Sequence, residues 1–308
     1  IFADKVVLVT PIIPLEENRE ISSKLKVPLN GNGFFLEAHP KLRPVDFTTD
    51  GIFLCGLAYG PQRLDESITQ ALAAASRALN TLMKGKVITE AIIADVNPEL
   101  CTGCGRCEKV CEFDAIKLEV TSDKQLVAKV DPLLCKGCGS CSVECPAKAI
   151  TMHHFRDDQI LNMLRAAFEK PVSKDKLKII AFFCNWCGYA AADMAGVSRY
   201  EYPPTVEIIR VMCSARVDPL YILYALLLGA DGVLIVGCHP SDCHYISGNL
   251  RAEERILRVK EWLKNVGLEP ERVRLEWASA GEGLRLAKII EEFTLQIKEL
   301  GLNPLRGG

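Results

Sequence analysis

Cys101-Thr102-Gly103-Cys104-Gly105-Arg106-Cys107-Glu108-Lys109-Val110-Cys111 sets four thiols in the order C-x-x-C-x-x-C-x-x-x-C. The order returns at Cys135-Lys136-Gly137-Cys138-Gly139-Ser140-Cys141-Ser142-Val143-Glu144-Cys145, followed by Pro146. Segments 96–116 and 130–150 align at a fixed offset of 34 residues, pairing Val96 with Val130, Pro98 with Pro132, Leu100 with Leu134 and Ala115 with Ala149. This is an internal duplication. Three thiolates two residues apart can wrap one face of an iron–sulfur cubane, and the intervening glycines let the backbone turn with N–H groups toward the sulfides. In two-cluster ferredoxins the fourth cysteine of each run ligates the other cluster. The spacing therefore assigns Cys101, Cys104, Cys107 and Cys145 to one 4Fe–4S cluster, and Cys135, Cys138, Cys141 and Cys111 to the other. Structural zinc is the rival reading, but zinc ribbons use paired C-x-x-C knuckles rather than a three-step run. Glu112 departs from the motif, which has proline after the fourth cysteine, as at Pro146. Between the quartets, 116–120 and 126–130 flank Ser122-Asp123-Lys124 as a hairpin.

Outside the quartets the chain has globular composition: 308 residues, 49% hydrophobic and 25% charged, enough for about two domains. A net charge of −2 provides no footprint for a nucleic-acid backbone or anionic lipid. The longest apolar run, 219–238, is cut by Gly229, Asp231 and Gly232, which reads as a helix and a buried strand rather than a membrane span. Ile1 opens the chain without a signal-peptide pattern, so it reads as part of a longer, cytoplasmic polypeptide. Fourteen closely spaced cysteines suit metal ligation in a reducing compartment better than disulfides.

After a polar connector with a helix at 158–169, strands at 178–183, 206–212, 232–236 and 272–277 alternate with helices. One helix opens at Asp218-Pro219, an N-cap followed by proline at the first helical position; others cover 250–266 and 282–300. The alternation predicts a doubly wound parallel sheet, whose ligands sit beyond the carboxyl ends of the strands. Cys184, Cys187, Cys213, Cys238 and Cys243 all fall there. Four thiolates suffice for a 2Fe–2S cluster, leaving one spare; His239 and His244 also open a mixed Cys/His site of the Rieske type. As the set of five reads, the histidines are better placed as supporting donors or surface residues. In the N-terminal part, 5–10 and 51–56 read as strands, Asn30-Gly31-Asn32-Gly33 as a turn, and a helix begins at Asp65. That strand–glycine–helix junction can meet a pyrophosphate or a flavin edge.

Together the motifs resemble a known family. Glu37-Ala38-His39-Pro40-Lys41-Leu42-Arg43-Pro44-Val45 and Thr48-Thr49-Asp50-Gly51-Ile52-Phe53-Leu54-Cys55-Gly56 look like the end of the flavin domain in the A-type subunit of heterodisulfide reductase, and the two-cluster segment fits that protein too. From about residue 177 the chain resembles the delta subunit of methyl-viologen-reducing hydrogenase, through Phe182-Phe183-Cys184-Asn185-Trp186-Cys187, Arg210-Val211-Met212-Cys213-Ser214 and Gly237-Cys238-His239 to Asp242-Cys243-His244-Tyr245. The resemblance implies an α/β and α+β multidomain chain. Residues 1–93 would be the C-terminal part of a FAD-binding flavoprotein domain and 94–153 a ferredoxin-like two-cluster insert. Residues 154–176 would form a linker, and 177–308 the delta-subunit-like 2Fe–2S domain.

The resemblance further implies two 4Fe–4S clusters, one 2Fe–2S cluster and FAD, with Gly56, Pro61, Asp65 and Ser67 at the flavin edge. Gly56-Leu57 stands where the related flavin enzymes have Gly-Asp. The implied role is an oxidoreductase subunit of a flavin-based electron-bifurcating complex, with no general acid or base of its own. It would pass electrons from a hydrogenase, formate dehydrogenase or deazaflavin-oxidising partner to FAD, beside ferredoxin and the other heterodisulfide reductase subunits, as a homodimer within that complex. The alternative is a non-catalytic iron–sulfur scaffold that docks a dehydrogenase.

Overall fold

The computed structural model describes residues 4–25, 27–47, 51–85, 91–169 and 176–306. They fall into two units, residues 1–88 and residues 89–308.

The first unit departs from the sequence expectation. It holds helices α1 (Asn18–Leu25) and α2 (Leu64–Lys84), but among its described residues no strand. A strand requires a hydrogen-bonded neighbour. Val6, Val7, Leu8 and Val9 are extended but more than three-quarters exposed, and 51–56 contributes only the single bridge Asp46 to Phe53. Thr48-Thr49-Asp50, part of the resemblance, lies outside the described residues. A small core of Val27, Phe35, Phe47 and Leu54 organises the unit. Asp46 pins α2 to it by accepting from Arg77 Nη2 at 2.8 Å and Nε at 3.1 Å. The helix ends on the left-handed Gly85, as its sequence predicts. Its apolar stripe, including Leu64, Leu72 and Leu82, remains exposed.

The second unit begins with the duplication. β1 (Ala94–Val96), α3 (Arg106–Val110) and β2 (Ile116–Val120) are repeated as β3 (Leu126–Val130), α4 (Ser140–Glu144) and β4 (Ile150–Met152). The repeats exchange partners: β1 pairs antiparallel with β4, and β2 with β3. The register obeys the 34-residue offset, Ala94 facing Met152 as Ala128 faces Leu118. Ile116, Ala115, Ala149 and Met152 close the small core between them.

Next comes α5 (Asp157–Ala167), in the stretch expected as a linker. Its Ile160 and Leu164 are fully buried in the core that follows, so this helix is part of the fold rather than a spacer. There β5 (Ile179–Cys184), α6 (Gly188–Val197), β6 (Val206–Val211), α7 (Pro219–Leu227), β7 (Gly232–Gly237), α8 (Gly248–Asn265), β8 (Val273–Trp277) and α9 (Gly283–Leu300) follow in turn. The four strands are parallel in the order β6-β5-β7-β8. Alternate residues of β5 face opposite layers. Ile180 and Phe182 pack with α5, α7 and α8, while Ile179, Ala181 and Phe183 pack with α6 and α9. Asp218 caps α7 by accepting from Leu220 N at 2.9 Å, with Pro219 at the first helical position. Among the described residues no helix is long and apolar enough to cross a membrane.

Asp231, fully buried ahead of β7, locks the base of this domain. One carboxylate oxygen accepts from Asn303 N at 2.9 Å, and the other from Lys178 N at 2.8 Å and Arg306 Nη1 at 2.9 Å. Both oxygens are engaged, so removing the carboxylate takes a buried acceptor from three donors. Asp231→Ala is expected to cost about 3–5 kcal/mol, read as a lowered midpoint in chemical denaturation; a midpoint equal to that of the parent would refute the lock.

Candidate iron–sulfur centres

Helices α3 and α4 each start on a left-handed glycine, Gly105 or Gly139, and end on an extended cysteine, Cys111 or Cys145. This turn-and-short-helix arrangement carries three thiols around a loop and sends the fourth toward the other repeat. Cys101, Cys104, Cys107 and Cys145 accordingly line one small cavity, walled by Leu118, Ala128 and Ile150. Cys135 sits close enough to Cys111, Cys138 and Cys141 to raise the pKa of each. The chain thus brings together the two crossed groups of four that the spacing anticipates.

The duplication extends to the hydrogen bonds on sulfur. Ala94 N donates to Cys135 Sγ and Ala128 N to Cys101 Sγ, both at 3.4 Å. Ala149 N donates to Cys145 Sγ at 3.3 Å, and Ala115 N to Cys111. Gly103 and Gly137, both at positive φ, are pressed against the carbonyls of Leu126 and Ile92. A Cβ there would come within 2.5 and 2.1 Å of the oxygens. Each pair of equivalents stands 34 residues apart. Burial raises the Cys107 thiol to about 11 and Cys138 to about 12. Cys104 is exposed, and the amide of Arg106 draws its pKa down.

The second thiol group sits at the carboxyl edge of the parallel sheet. Cys184 ends β5, Cys238 follows β7, and Cys213 follows β6 by two residues. Strand β5, first in sequence, lies between β6 and β7, so this is the point where the strand order reverses and an α/β fold opens a crevice. Cys184 and Cys238 sulfurs are 3.8 Å apart, and both contact Cys187. Cys243 touches Cys238 and Cys213. All five expected thiols therefore converge. Hydrogen bonds from Cys187 and Cys238 hold Cys184 below the ordinary thiol range, and those from Cys213 and Cys238 do the same for Cys243. Gly188 N donates to Cys184 Sγ at 3.2 Å and Ala215 N to Cys213 Sγ at 3.4 Å.

The two histidines are otherwise engaged. His239 Nε2 lies 2.6 Å from Glu282 Oε2, and His244 stacks on Trp186 with ring centroids 3.7 Å apart. Trp186 Nε1 donates to the hydroxyl of Tyr245 at 2.9 Å, and Tyr245 meets Phe113 edge-on. Sequence reasoning missed this aromatic cover, although Trp186, His244 and Tyr245 each adjoin a cysteine or its neighbour.

Crossed quartets of soft thiolates with amide donors and tight glycine turns fit two cubanes. A five-thiol crevice whose sulfurs accept from backbone amides, those of Tyr245 and Asn249 on Cys243 among them, fits a 2Fe–2S cluster with one sulfur to spare. The residues expected at a flavin edge lie in the first unit. Gly56 N donates to Gln70 Oε1 at 2.9 Å; exposed Pro61 follows, while Asp65 and the half-buried Ser67 lie in the first turn of α2. That turn also carries Glu66, which accepts from Arg63 N at 2.9 Å. The Arg63 guanidinium pairs with both carboxylates of that turn, Asp65 at 2.9 Å and Glu66 at 3.8 Å. Cys55 is half-buried in the same unit.

Two cysteine-rich modules, one duplicated and one at the edge of a parallel sheet, define an iron–sulfur protein. The 4Fe-4S binding-domain model matches residues 94–117 and 128–151, and the model for the delta subunit of methyl-viologen-reducing hydrogenase matches residues 179–301. The chain is 46% identical over 299 residues to the A-type subunit of the ferredoxin/F420H2-dependent CoB-CoM heterodisulfide reductase of Methanosarcina acetivorans. This match takes in 97% of the chain and 37% of that protein. Its counterpart in the ferredoxin:CoB-CoM heterodisulfide reductase of Methanosarcina mazei is 44% identical over the same proportions. The D-type iron–sulfur subunit of the F420-non-reducing hydrogenase of Archaeoglobus profundus is 54% identical over 123 residues, 40% of this chain and 90% of that protein. The chain belongs to the family of heterodisulfide reductase A-type subunits, in the form fused to a domain of the hydrogenase delta type. It spans 37% of the length of the two Methanosarcina relatives.

Proposed function

We propose that this chain is the electron-relaying portion of a heterodisulfide reductase-type complex. It would accept single electrons at the C-terminal five-thiol site and pass them through two cubanes toward FAD held with the remainder of the protein. The donor would be a hydrogenase, formate dehydrogenase or deazaflavin-oxidising partner, and ferredoxin and a disulfide-reducing partner would draw on the flavin. Relatives named as heterodisulfide reductase and hydrogenase subunits support this reading. The observation that carries it is proximity: Cys135 and Cys141 of the second quartet share one buried cluster with Cys184, Cys213, Cys238 and Cys243, and Cys138 packs against it. In this reading thirteen cysteines are the ligands and their spare, and residues 94–153 and 177–308 are the two working domains.

Iron–sulfur clusters, when bound, supply reversible one-electron storage. The protein's own residues then have three tasks. Cysteine thiolates fix each cluster, the amides of Ala94, Ala128, Ala149, Gly188 and Ala215 stabilise negative charge on sulfur, and the aromatic cover of Trp186, His244 and Tyr245 keeps water from the crevice. The exposed Cys104 leaves the first quartet accessible from the surface. No proton transfer is asked of any side chain.

Iron analysis and low-temperature paramagnetic resonance test the reading. Anaerobically reconstituted protein is expected to hold about ten iron atoms per chain, and reduction should give two interacting cubane signals beside one 2Fe–2S signal. Clusters that neither reduce nor reoxidise with a physiological donor would favour the scaffold instead.

A further inference from the structure

The two halves of the ferredoxin-like module are near copies, and they differ where the module meets the C-terminal domain. Glu112 occupies the position of Pro146; its carboxylate accepts a hydrogen bond from Ser247, just ahead of α8. Glu144 stands opposite Val110, Ser140 opposite Arg106, and Lys148 opposite Asp114. Lys148 Nζ meets Asp218 at 2.5 Å. Glu144 and Ser140, the ends of α4, both reach Arg255. Every one of these departures serves the same contact, and each lies within three residues of a quartet cysteine.

Arg255 is the centre of that contact. It projects from α8 with a side chain only 7% exposed. Nη2 donates to Glu144 at 2.7 Å and Nε at 3.1 Å, while Nη1 donates to the carbonyl of Ala215 at 2.5 Å. Glu144 immediately precedes Cys145, and Ala215 lies two residues after Cys213. One planar guanidinium therefore ties the helix holding Cys141 to the turn holding Cys213. A fork of this kind fixes distance and orientation together, which the point charge of a lysine does not.

We infer that Arg255 is a positioning residue for electron handover, setting the spacing between the second quartet and the five-thiol site. The inference rests on the relay proposed above. Electron tunnelling falls steeply with distance, so a junction fixed by a buried fork can govern the rate without touching either cluster. Arg216 flanks it: its side chain is 1% exposed and donates to the carbonyl of Phe155 at 2.9 Å and to Asp157. Arg255 bonds Ser140 and Glu144 at the two ends of α4, and the Arg216 stem packs on Gly139 just ahead of it, where a Cβ would lie 2.3 Å from Arg216 Cδ.

The test compares Arg255→Met, Arg255→Lys and Glu144→Gln with the parent protein. Hydrogen exchange of the 140–144 amides is read on iron-free protein, and magnetic interaction between the reduced 2Fe–2S and cubane signals on reconstituted protein. Arg255→Met is expected to speed exchange about tenfold and to weaken the interaction, with iron content and each cluster's own signal retained. Arg255→Lys should restore part of both. Glu144→Gln, which keeps the arginine on Ala215, serves if the methionine variant does not fold; it should show the same changes at smaller size. Parent-like exchange and interaction in the foldable variants would overturn the clamp. Absence of a 2Fe–2S signal from the parent would instead defeat the relay, leaving the exchange measurement to decide the clamp alone.

Discussion

Cys138→Ala is expected to remove one of the two interacting cubane signals and to lower iron from about ten toward about six atoms per chain. The sulfur sits between two neighbourhoods. Within its quartet it feels Cys111 and Cys135, and across the module boundary it feels Cys243. Burial first, and then these neighbouring thiols, push the thiol up to about 12. Such a group becomes a thiolate only when a cation stabilises it, so its function and its ionisation are linked. Alanine removes the ligand without adding bulk and keeps a small apolar side chain where Cys138 packs against the module's core. The other cubane signal should survive without its partner's broadening. On the proposed relay, flavin reduction by the donor would slow while binding of the partner subunits is preserved. An unchanged iron content would remove Cys138 from the ligands and break the crossed assignment of the quartets.

Much of this centre is written in the chain because the duplication is itself a geometric instruction. Once residues 34 apart are equivalent, a donor on one sulfur implies a donor on the other, and Ala94 with Cys135 is matched by Ala128 with Cys101. The five C-terminal thiols were legible for a different reason: parallel strands deliver whatever follows them to one edge. Local patterns succeeded at Asp218-Pro219 and at the hairpin of β2 and β3. They failed for residues 5–10, which join no strand among the described residues, and for 51–56, whose pairing stops at the single bridge from Phe53 to Asp46. They also missed α6, whose run of alanines has little contrast between faces. The polar clamp was hidden by distance, since Arg255 and Glu144 are 111 residues apart. Only Glu112 pointed to it, as a break in the motif whose purpose lay in the other module.

Gly248→Ala should empty the C-terminal site while sparing both cubanes. Gly248 is the first residue of α8, and the added methyl would fall 2.2 Å from Cys213 Sγ, 3.4 Å from Ala215 Cβ and 3.5 Å from Cys243 Sγ. The first distance is well inside contact. Cys213 is 2% exposed and Cys243 3%, so neither sulfur can turn toward solvent without opening the crevice. Helix propensity favours alanine over glycine by about 1 kcal/mol, so α8 itself is not at risk. The collision therefore falls on the thiols, and a substitution that strengthens the helix should weaken the metal site. The expected result is about eight iron atoms per chain, both cubane signals and no 2Fe–2S signal. A variant with the full iron content and an intact 2Fe–2S spectrum would show that Cys213 is free to move, making it the spare thiol among the five. Loss of all three clusters would mean that the two modules fold only together, a coupling that the shared core of ferredoxin and crevice cysteines makes physically reasonable.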